Sequence, residues 1–286
     1  MTRLHIMVVI LISLGASLDP AMPDEPERPA RPNVKLREWE KGIAVDSLDE
    51  PGMSVYLWFY EWNMFEARAR GQHTGGTYEW KRTVSEDGRT ALIDAGDMQL
   101  DIRAEHDGAK LTLDITNRTE HAWPEIAGII PCFNPGAPPG REDRYPLAVR
   151  NAEFENTNTW YVGAVGLKKL VGRAIHFNDR LRPLVDEEAD NGRFVFSHKW
   201  PTSPDNAHAG LIVRESTNGE WVTGIAWESF LSAQGHNPWS CMHLCINVGP
   251  LAPGESTTVD GRVYLFRGSR DDCLGRYRND FADSET

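Results

Sequence analysis

The chain has 286 residues, of which 40% are hydrophobic and 25% charged, a balance typical of a globular protein with a substantial core. Its formal net charge of -12 excludes the electrostatic footprint of a nucleic-acid-binding protein. The only long apolar run, residues 6–14, is much shorter than the roughly 20 residues that a membrane-spanning helix needs.

Residues 1–18 have the order of a secretory signal peptide. Arg3 precedes the apolar run, and small residues follow it at positions 15–17. The pattern predicts export, to the cell envelope, the periplasm or the medium, with no stable membrane insertion after signal cleavage. An uncleaved anchor is the alternative.

Residues 19–33 form an acidic, proline-rich linker. Prolines stand at positions 20, 23, 26, 29 and 32, and a period of three suits a polyproline II tether. A disordered leader without a role is the alternative. One β-sandwich domain is predicted over 34–281, followed by a disordered tail at 282–286.

The first predicted strand of interest lies in the aromatic run 56–65. Period-two alternation places Trp58, Tyr60 and Trp62 on one face and Glu61 on the other. Aromatic rings with polar groups between them suit stacking on the apolar faces of sugar rings. Large side chains filling a sandwich core are the competing interpretation.

Alternating apolar and polar residues predict a β-hairpin over 97–116. Asp107-Gly108 is assigned to its turn, with type I′ chemistry. Short segments of this kind, separated by Gly and Pro along most of the chain, indicate an all-β sandwich.

Two histidines lie in loops whose backbone can approach a ligand closely. His73 stands between glycine-containing segments, and His236 follows Gly235. Substrate-binding residues are predicted around the second loop, at Gln234, Asn237 and Trp239. Imidazoles that only satisfy loop carbonyls are the alternative.

Residues 241–248 read as a strand that carries Cys241, His243 and Cys245. The two cysteines would lie about 13 Å apart in a strand, too far for a disulfide with each other. His243 could share a metal with one of them. With Cys132 and Cys273, long-range disulfides or buried thiols both remain open.

The last predicted elements are a closing strand and a helix. Turn residues at 249–254 precede the strand, and Ser269 with Asp272 forms a capping box for a short C-terminal helix.

Histidines and carboxylates supply the predicted chemistry. His73, His236 and His243 are predicted to converge as acid–base groups, with Glu61 or Glu125 as the carboxylate partner. The same three histidines are the alternative ligand set for a divalent metal, which would acidify a sugar hydroxyl or α-proton. No other cofactor is indicated.

The segments 249–255 (GPLAPGE), 264–266 (YLF) and 111–117 (LTLDITN) resemble the galactose-mutarotase-like β-supersandwich proteins. The resemblance implies a two-sheet supersandwich and a relation to aldose epimerases and polysaccharide lyases. In the epimerases a histidine acts as general acid and a late glutamate as general base. Here Gln234 to Pro238 stand where the family has Glu-x-Gln followed by Pro-Asp, which argues against plain mutarotase activity.

The sequence therefore predicts an all-β, two-sheet supersandwich with a short C-terminal helix. The predicted function is that of an exported carbohydrate-active protein, an epimerase- or lyase-like enzyme whose ligand is a glycan or sugar derivative. The alternative is a non-catalytic carbohydrate-binding or cell-envelope structural module. The sequence specifies neither the substrate nor the oligomeric state.

Overall fold

The computed structural model describes residues 31–40, 42–63, 74–75, 81–135, 154–191 and 200–282, without the side chains of 60–63 and 74–75. All described elements belong to one compact unit, Arg31–Thr286. The predicted signal peptide and the tail from residue 283 lie outside the described residues. No helix in the described ranges is long and apolar enough to cross a membrane.

The described residues form seventeen strands and two helices. In chain order these are β1 (Val34–Trp39), β2 (Gly42–Ser47), β3 (Ser54–Asn63), β4 (Thr74–Gly75), β5 (Lys81–Val84), β6 (Thr90–Asp94), β7 (Met98–Glu105), β8 (Gly108–Thr116), β9 (Gly128–Asn134), β10 (Thr159–Gly163), β11 (Gly166–Lys169), β12 (His176–Phe177), α1 (Arg182–Asp190), β13 (Ala209–Glu215), β14 (Trp221–Trp227), β15 (Phe230–Gln234), β16 (His243–Asn247), β17 (Ser256–Arg267) and α2 (Arg270–Asp280).

The strands make two antiparallel sheets. The eight-stranded sheet has the order β1-β2-β3-β9-β16-β15-β12, with β4 beside β3. The nine-stranded sheet has the order β11-β10-β13-β14-β17-β8-β7-β6-β5. The predicted all-β, two-sheet architecture with a C-terminal helix is confirmed.

The main core lies between the sheets. Leu57, Phe133 and Leu244 of the eight-stranded sheet are fully buried in it, together with residues such as Leu113 and Val263 of the nine-stranded sheet. Because successive side chains of a strand point to opposite faces, the residues next to these in sequence point away from the core. This other side of the eight-stranded sheet is its outer face.

Helix α2 covers the outer side of the nine-stranded sheet. Cys273, Leu274 and Tyr277 pack there against buried residues of β13, β14 and β17. The Ser269 side chain accepts a hydrogen bond from the Asp272 amide, and the Asp272 side chain accepts one from the Ser269 amide. The predicted helix and its capping box are both confirmed.

Helix α1 covers part of the outer face of the eight-stranded sheet. Its only buried residue is Val185, which packs near Ile130, Leu231 and Cys245. No helix was expected here, because its sequence RPLVDEEAD has almost no apolar face. Pro183 in the first turn is compatible with a helix start, where the missing N–H needs no partner.

The predicted hairpin over 97–116 is confirmed as β7 and β8, but its turn lies one residue earlier than expected. Glu105 pairs with Gly108, so His106 and Asp107 form the turn. Asp107 has φ 70° while His106 has no positive φ, which is not a type I′ turn. Gly108 is instead the first residue of β8, where a Cβ would lie 1.9 Å from the carbonyl oxygen of Val263.

Candidate functional site

Strands β9 and β16 bring a cysteine and a histidine face to face. Ile246 pairs with Ile129, and Met242 forms a bridge with Phe133. This antiparallel register places His243 opposite Cys132, and both belong to the outer face because Phe133 lies in the core.

The same register continues across the two neighbouring strands. Trp58 of β3 pairs with Cys132, and Gln234 of β15 pairs with His243. Trp58, Cys132, His243 and Gln234 therefore form one row across the outer face, which we call the central row. Four strands each contribute one side chain to it, and β3, β9 and the consecutive pair β15 and β16 are distant from one another in sequence.

A second row runs beside the central row. Asn134 lies two residues after Cys132, and its Nδ2 donates to Cys241 Sγ at 3.3 Å and to the Trp239 carbonyl oxygen at 3.0 Å. The thiol of Cys132 donates to Asn134 Oδ1 at 3.2 Å. Asn134 thus links the two cysteines and the segment that leads into β16.

Cys132, Cys241 and His243 form a compact group, the Cys2His cluster. One potential ligand atom from each lies within 4.8 Å of the others. Both cysteines are buried, and the His243 residue is half-buried. All four cysteines of the chain are buried thiols rather than disulfides, which decides between the two alternatives left open by the sequence.

The imidazole of His243 is oriented by Gln234. His243 Nδ1 lies 2.8 Å from Gln234 Oε1. An amide oxygen only accepts, so Nδ1 carries the proton and donates. The lone pair is therefore on Nε2, the nitrogen that can take up a proton or bind a metal.

The loop 235–242 is fastened by Asn237. This buried side chain accepts from the amides of Trp239 and Cys241, at 3.0 and 3.2 Å, and donates to the Cys241 carbonyl oxygen at 2.8 Å. His236 and Ser240 have positive φ values of 55° and 57°. Asn237 thus holds the loop in shape through bonds to its backbone.

Arg214 of β13 is fully buried and anchors the same loop through hydrogen bonds to Ser240. It donates to the Ser240 carbonyl and hydroxyl oxygens at 3.0 and 2.9 Å, to Thr159 Oγ1 at 2.8 Å and to Asn156 Oδ1 at 3.0 Å. Burial lowers the pKa of Arg214 to about 9, and the nearby thiol of Cys241 acts in the opposite direction. The guanidinium is therefore still charged at neutral pH.

Aromatic side chains border the two rows. Trp239 is 49% exposed and meets Trp200 edge-on, with ring centroids 6.4 Å apart. The guanidinium of Arg173 lies 5.5 Å from the centre of the Trp200 ring. On the other side, half-buried Trp58 packs against Trp39, with centroids 6.3 Å apart.

Among the remaining predicted site residues that the structure describes with side chains, Glu125 and His236 are not part of the Cys2His cluster. Glu125 is exposed in the turn before β9, and β9 then runs to Cys132. His236 is half-buried in the loop, with no hydrogen bond to its buried Nδ1 from the described part of the chain. His73 lies outside the described residues.

The predicted aromatic face of β3 is described only in part. The register of β3 against β9 shifts between Trp58 and Trp62, so simple alternation does not hold through this stretch. Tyr60, Glu61 and Trp62 lie in β3, but their side chains are outside the described residues.

Sequence reasoning missed Cys132, Asn134 and Arg214 as members of the site. Cys132 and Asn134 belong to a strand that is buried throughout and carries no motif. Arg214 lies in β13 among apolar residues. The pairing of β9 with β16 reveals the proximity of Cys132 and Asn134 to His243. Arg214 is revealed by its hydrogen bonds to Ser240, in the loop that leads into β16.

No protein-family model matches the sequence, and no curated protein matches it. Among solved structures, the chain is similar to a putative aldose 1-epimerase from Escherichia coli K12, with 10% identity over 82% of this chain and 99% of that one, at a TM-score of 0.36. It is also similar to a galactose mutarotase related enzyme from Lactobacillus acidophilus, with 8% identity over 85% of this chain and 97% of that one, at a TM-score of 0.38.

A polysaccharide lyase is similar at 11% identity and a TM-score of 0.38. The match covers 88% of this chain but only 34% of the lyase, so this chain spans about a third of that protein. These are the classes of protein named by the sequence resemblance. At such TM-scores the function has to be argued from the site itself.

Proposed function

We propose that the protein binds a carbohydrate on the outer face of the eight-stranded sheet and acts on it as an epimerase- or lyase-like enzyme. The observation that carries the proposal is the central row, in which an oriented imidazole lies between a thiol and an amide, with a tryptophan on the far side of the thiol. The exposed Trp239 belongs to the loop 235–242, and its carbonyl oxygen accepts from Asn134 of the second row.

The aromatic border suits a sugar ligand. A tryptophan that is 49% exposed presents a large flat apolar surface, and sugar rings have apolar faces that stack on such surfaces. The Asn134 amide fixes the backbone of Trp239 through its carbonyl oxygen. The ring is therefore carried by an anchored segment, which reduces the entropy that is lost on binding.

His243 supplies the proposed chemistry. The hydrogen bond from Nδ1 to Gln234 leaves the lone pair on Nε2, where it can take a proton from a sugar hydroxyl or carbon atom. Alternatively, Nε2 would hold a metal ion, which would supply Lewis-acid chemistry to acidify the same proton. Both routes start from the tautomer that Gln234 selects. His73, His236, Glu61 and Glu125 stay proposals for the remaining acid–base roles.

Turnover distinguishes an enzyme from a carbohydrate-binding module. A panel of mono- and oligosaccharides would be incubated in D2O with the wild type and with His243→Gln. Proton NMR detects epimerisation and exchange of carbon-bound protons, and ultraviolet absorption detects the unsaturated products of a lyase. We expect turnover by the wild type and loss of at least two orders of magnitude in the variant, a typical contribution of a general acid or base.

Binding without any turnover by the wild type would contradict the enzymatic part and favour a non-catalytic module. Turnover that is unchanged in His243→Gln would show that the reaction takes place elsewhere.

We also propose that the chain is exported, on the basis of residues 1–18. The N-terminal sequence of the mature protein tests this directly. Cleavage within roughly the first 20 residues supports export, and an intact N-terminus on protein from the cell interior would contradict it.

A further inference from the structure

We propose that Cys132, Cys241 and His243 bind a zinc ion, or a closely related transition-metal ion, on the outer face of the eight-stranded sheet. This ligand set differs from the three histidines that the sequence suggested. Metal binding by these three residues does not depend on the identity of the substrate. Two thiolates and one imidazole are a donor set that suits zinc, and three protein ligands leave one position for water or substrate.

The spacing of the three side chains is close to that of a tetrahedral site. Zinc–sulfur bonds of ~2.3 Å and zinc–nitrogen bonds of ~2.0 Å place the donor atoms about 3.6 Å apart. The ligand atoms of the cluster lie within 4.8 Å of one another. Closing the remaining gap of roughly 1 Å needs only small side-chain rotations.

The backbone arrangement favours a shared metal over a disulfide. Cys132 is opposite His243, so Cys241 stands two residues away at the diagonal position of the neighbouring strand. Diagonal neighbours in a sheet are separated by roughly 7–8 Å, whereas disulfide-bonded Cα atoms are usually about 4.4–6.8 Å apart. A metal ion bridges the longer distance without moving the strands.

The hydrogen bonds around the cluster are those expected around a metal site. Metal-binding histidines usually donate their second ring nitrogen to a fixed acceptor, which sets the tautomer and the ring orientation. His243 does so to Gln234 Oε1 at 2.8 Å. Asn134 contacts both sulfurs, donating to one and accepting from the other, and its amide can stabilise a bound thiolate.

The charge of Arg214 supports thiolate formation. In the described part of the chain this buried guanidinium bonds only to neutral oxygens, two of which belong to Ser240, the residue before Cys241. A cation close to a cysteine favours the thiolate, which is the form that binds metal. Binding of one Zn²⁺ with loss of two thiol protons leaves the net charge of the site unchanged.

The first test is elemental analysis of the full chain, purified without chelator and without an affinity metal. We expect about one equivalent of zinc in the wild type and its loss in Cys132→Ala, Cys241→Ala and His243→Gln. The matched controls are Cys273→Ala, which removes a buried thiol of α2, and His236→Gln, which removes a histidine of the neighbouring loop. Both controls should keep their metal.

The second test does not depend on the folding of any variant. Cobalt(II) would be titrated into metal-free wild type and followed by absorption. Tetrahedral d–d bands, together with a thiolate-to-cobalt charge-transfer band that reaches its plateau at about one equivalent, are expected. A wild type that binds neither ion, or a Cys132–Cys241 disulfide found by peptide mapping, would overturn the proposal. Metal retained by both cysteine variants would do the same.

Discussion

The Gln234 side chain accepts a hydrogen bond from His243 and orients its ring, and this contact can be tested separately from the proposed metal ligands. Gln234→Ala removes the acceptor of the Nδ1 proton but leaves all three proposed ligands in place. Groups in this position usually change metal affinity by about 10–100-fold. We therefore expect zinc to bind that much more weakly in competition with a chelating dye.

Ser232→Ala is the matched control, since Ser232 lies two residues earlier on β15 and opposite Cys245. Equal zinc affinity in Gln234→Ala and the wild type would show that the hydrogen bond has no role in the site.

His176 links stability to pH. Its ring stacks on Tyr161 at 4.1 Å, and Nδ1 lies 3.0 Å from the Asp205 carbonyl oxygen. Burial lowers the pKa of His176, and the charge of Lys168 acts in the same direction, while Asp205 opposes them. The His176 imidazole thus binds a proton less readily in the folded state than in the unfolded state. The resulting stability is present above the unfolded pKa of about 6.5 and is lost as the pH falls through the folded pKa.

His176→Phe keeps an aromatic ring beside Tyr161 but removes the group that takes up a proton. We expect the variant to be less stable than the wild type near neutrality, with a smaller fall in melting temperature between about pH 7.5 and about pH 5. Equal falls for the two proteins would show that His176 does not carry this pH dependence.

Among the single residues of the site, those with local signals could be predicted. His243 and Gln234 stand close together in sequence, in a segment rich in polar and aromatic residues. The sequence also places Cys241 near His243. It suggests Cys245 as the other nearby cysteine, whereas the second cysteine of the cluster is Cys132. Cys132 could not be assigned, because no local pattern states which strand lies opposite another.

At the level of single elements, Gly108 explains why the β7–β8 turn differs from the prediction. A Cβ on Gly108 would lie 1.9 Å from the carbonyl oxygen of Val263, and φ there is 146°. The glycine is needed for the close approach of β17 rather than for the turn. Gly108→Ala should lower the free energy of unfolding by more than about 2 kcal/mol, because both strain and overlap result.

Gly166→Ala is the matched control. It also has positive φ, 113°, but no atom lies within 4 Å of the added Cβ. We expect a loss of only about 1 kcal/mol there, from backbone strain alone. Equal losses in chemical denaturation would rule out the steric explanation.

The loop 235–242 depends on β13 through Arg214. Arg214→Met removes four hydrogen bonds and leaves oxygens of buried Thr159 and of half-buried Ser240 and Asn156 without this donor. We expect a loss of about 3 kcal/mol in the free energy of unfolding. Arg118→Met, at an exposed position, should change it by less than about 0.5 kcal/mol. Equal stability of Arg214→Met and the wild type would contradict the role of this arginine.

The two helices show what a local pattern can and cannot predict. Helix α2 follows a capping box and has apolar residues spaced for one buried face, so its sequence is sufficient. Helix α1 buries only Val185 and forms over an apolar area of the outer face near Leu231. The apolar residues of the sheet beneath it determine where this helix forms. Its own sequence therefore does not predict it.

At the scale of the whole molecule, the two-sheet architecture follows from short alternating segments, but the central row does not. The row exists because β3, β9, β16 and β15 are neighbours in one sheet. That order joins segments far apart in the chain, and the register then selects which side chains meet. The sequence pattern predicts the strands, whereas the pairing of the strands determines which side chains form the site.

The most direct test of the central claim, that the outer face binds carbohydrate, is a glycan array probed with three proteins. These are the wild type, Trp239→Ala and Val165→Ala, the last being an exposed apolar side chain in the turn between β10 and β11. We predict selective binding by the wild type and Val165→Ala, and a loss in Trp239→Ala of at least about tenfold, corresponding to the ~1.4 kcal/mol expected for one stacked ring. No glycan bound by the wild type, or equal binding by all three proteins, would contradict the claim.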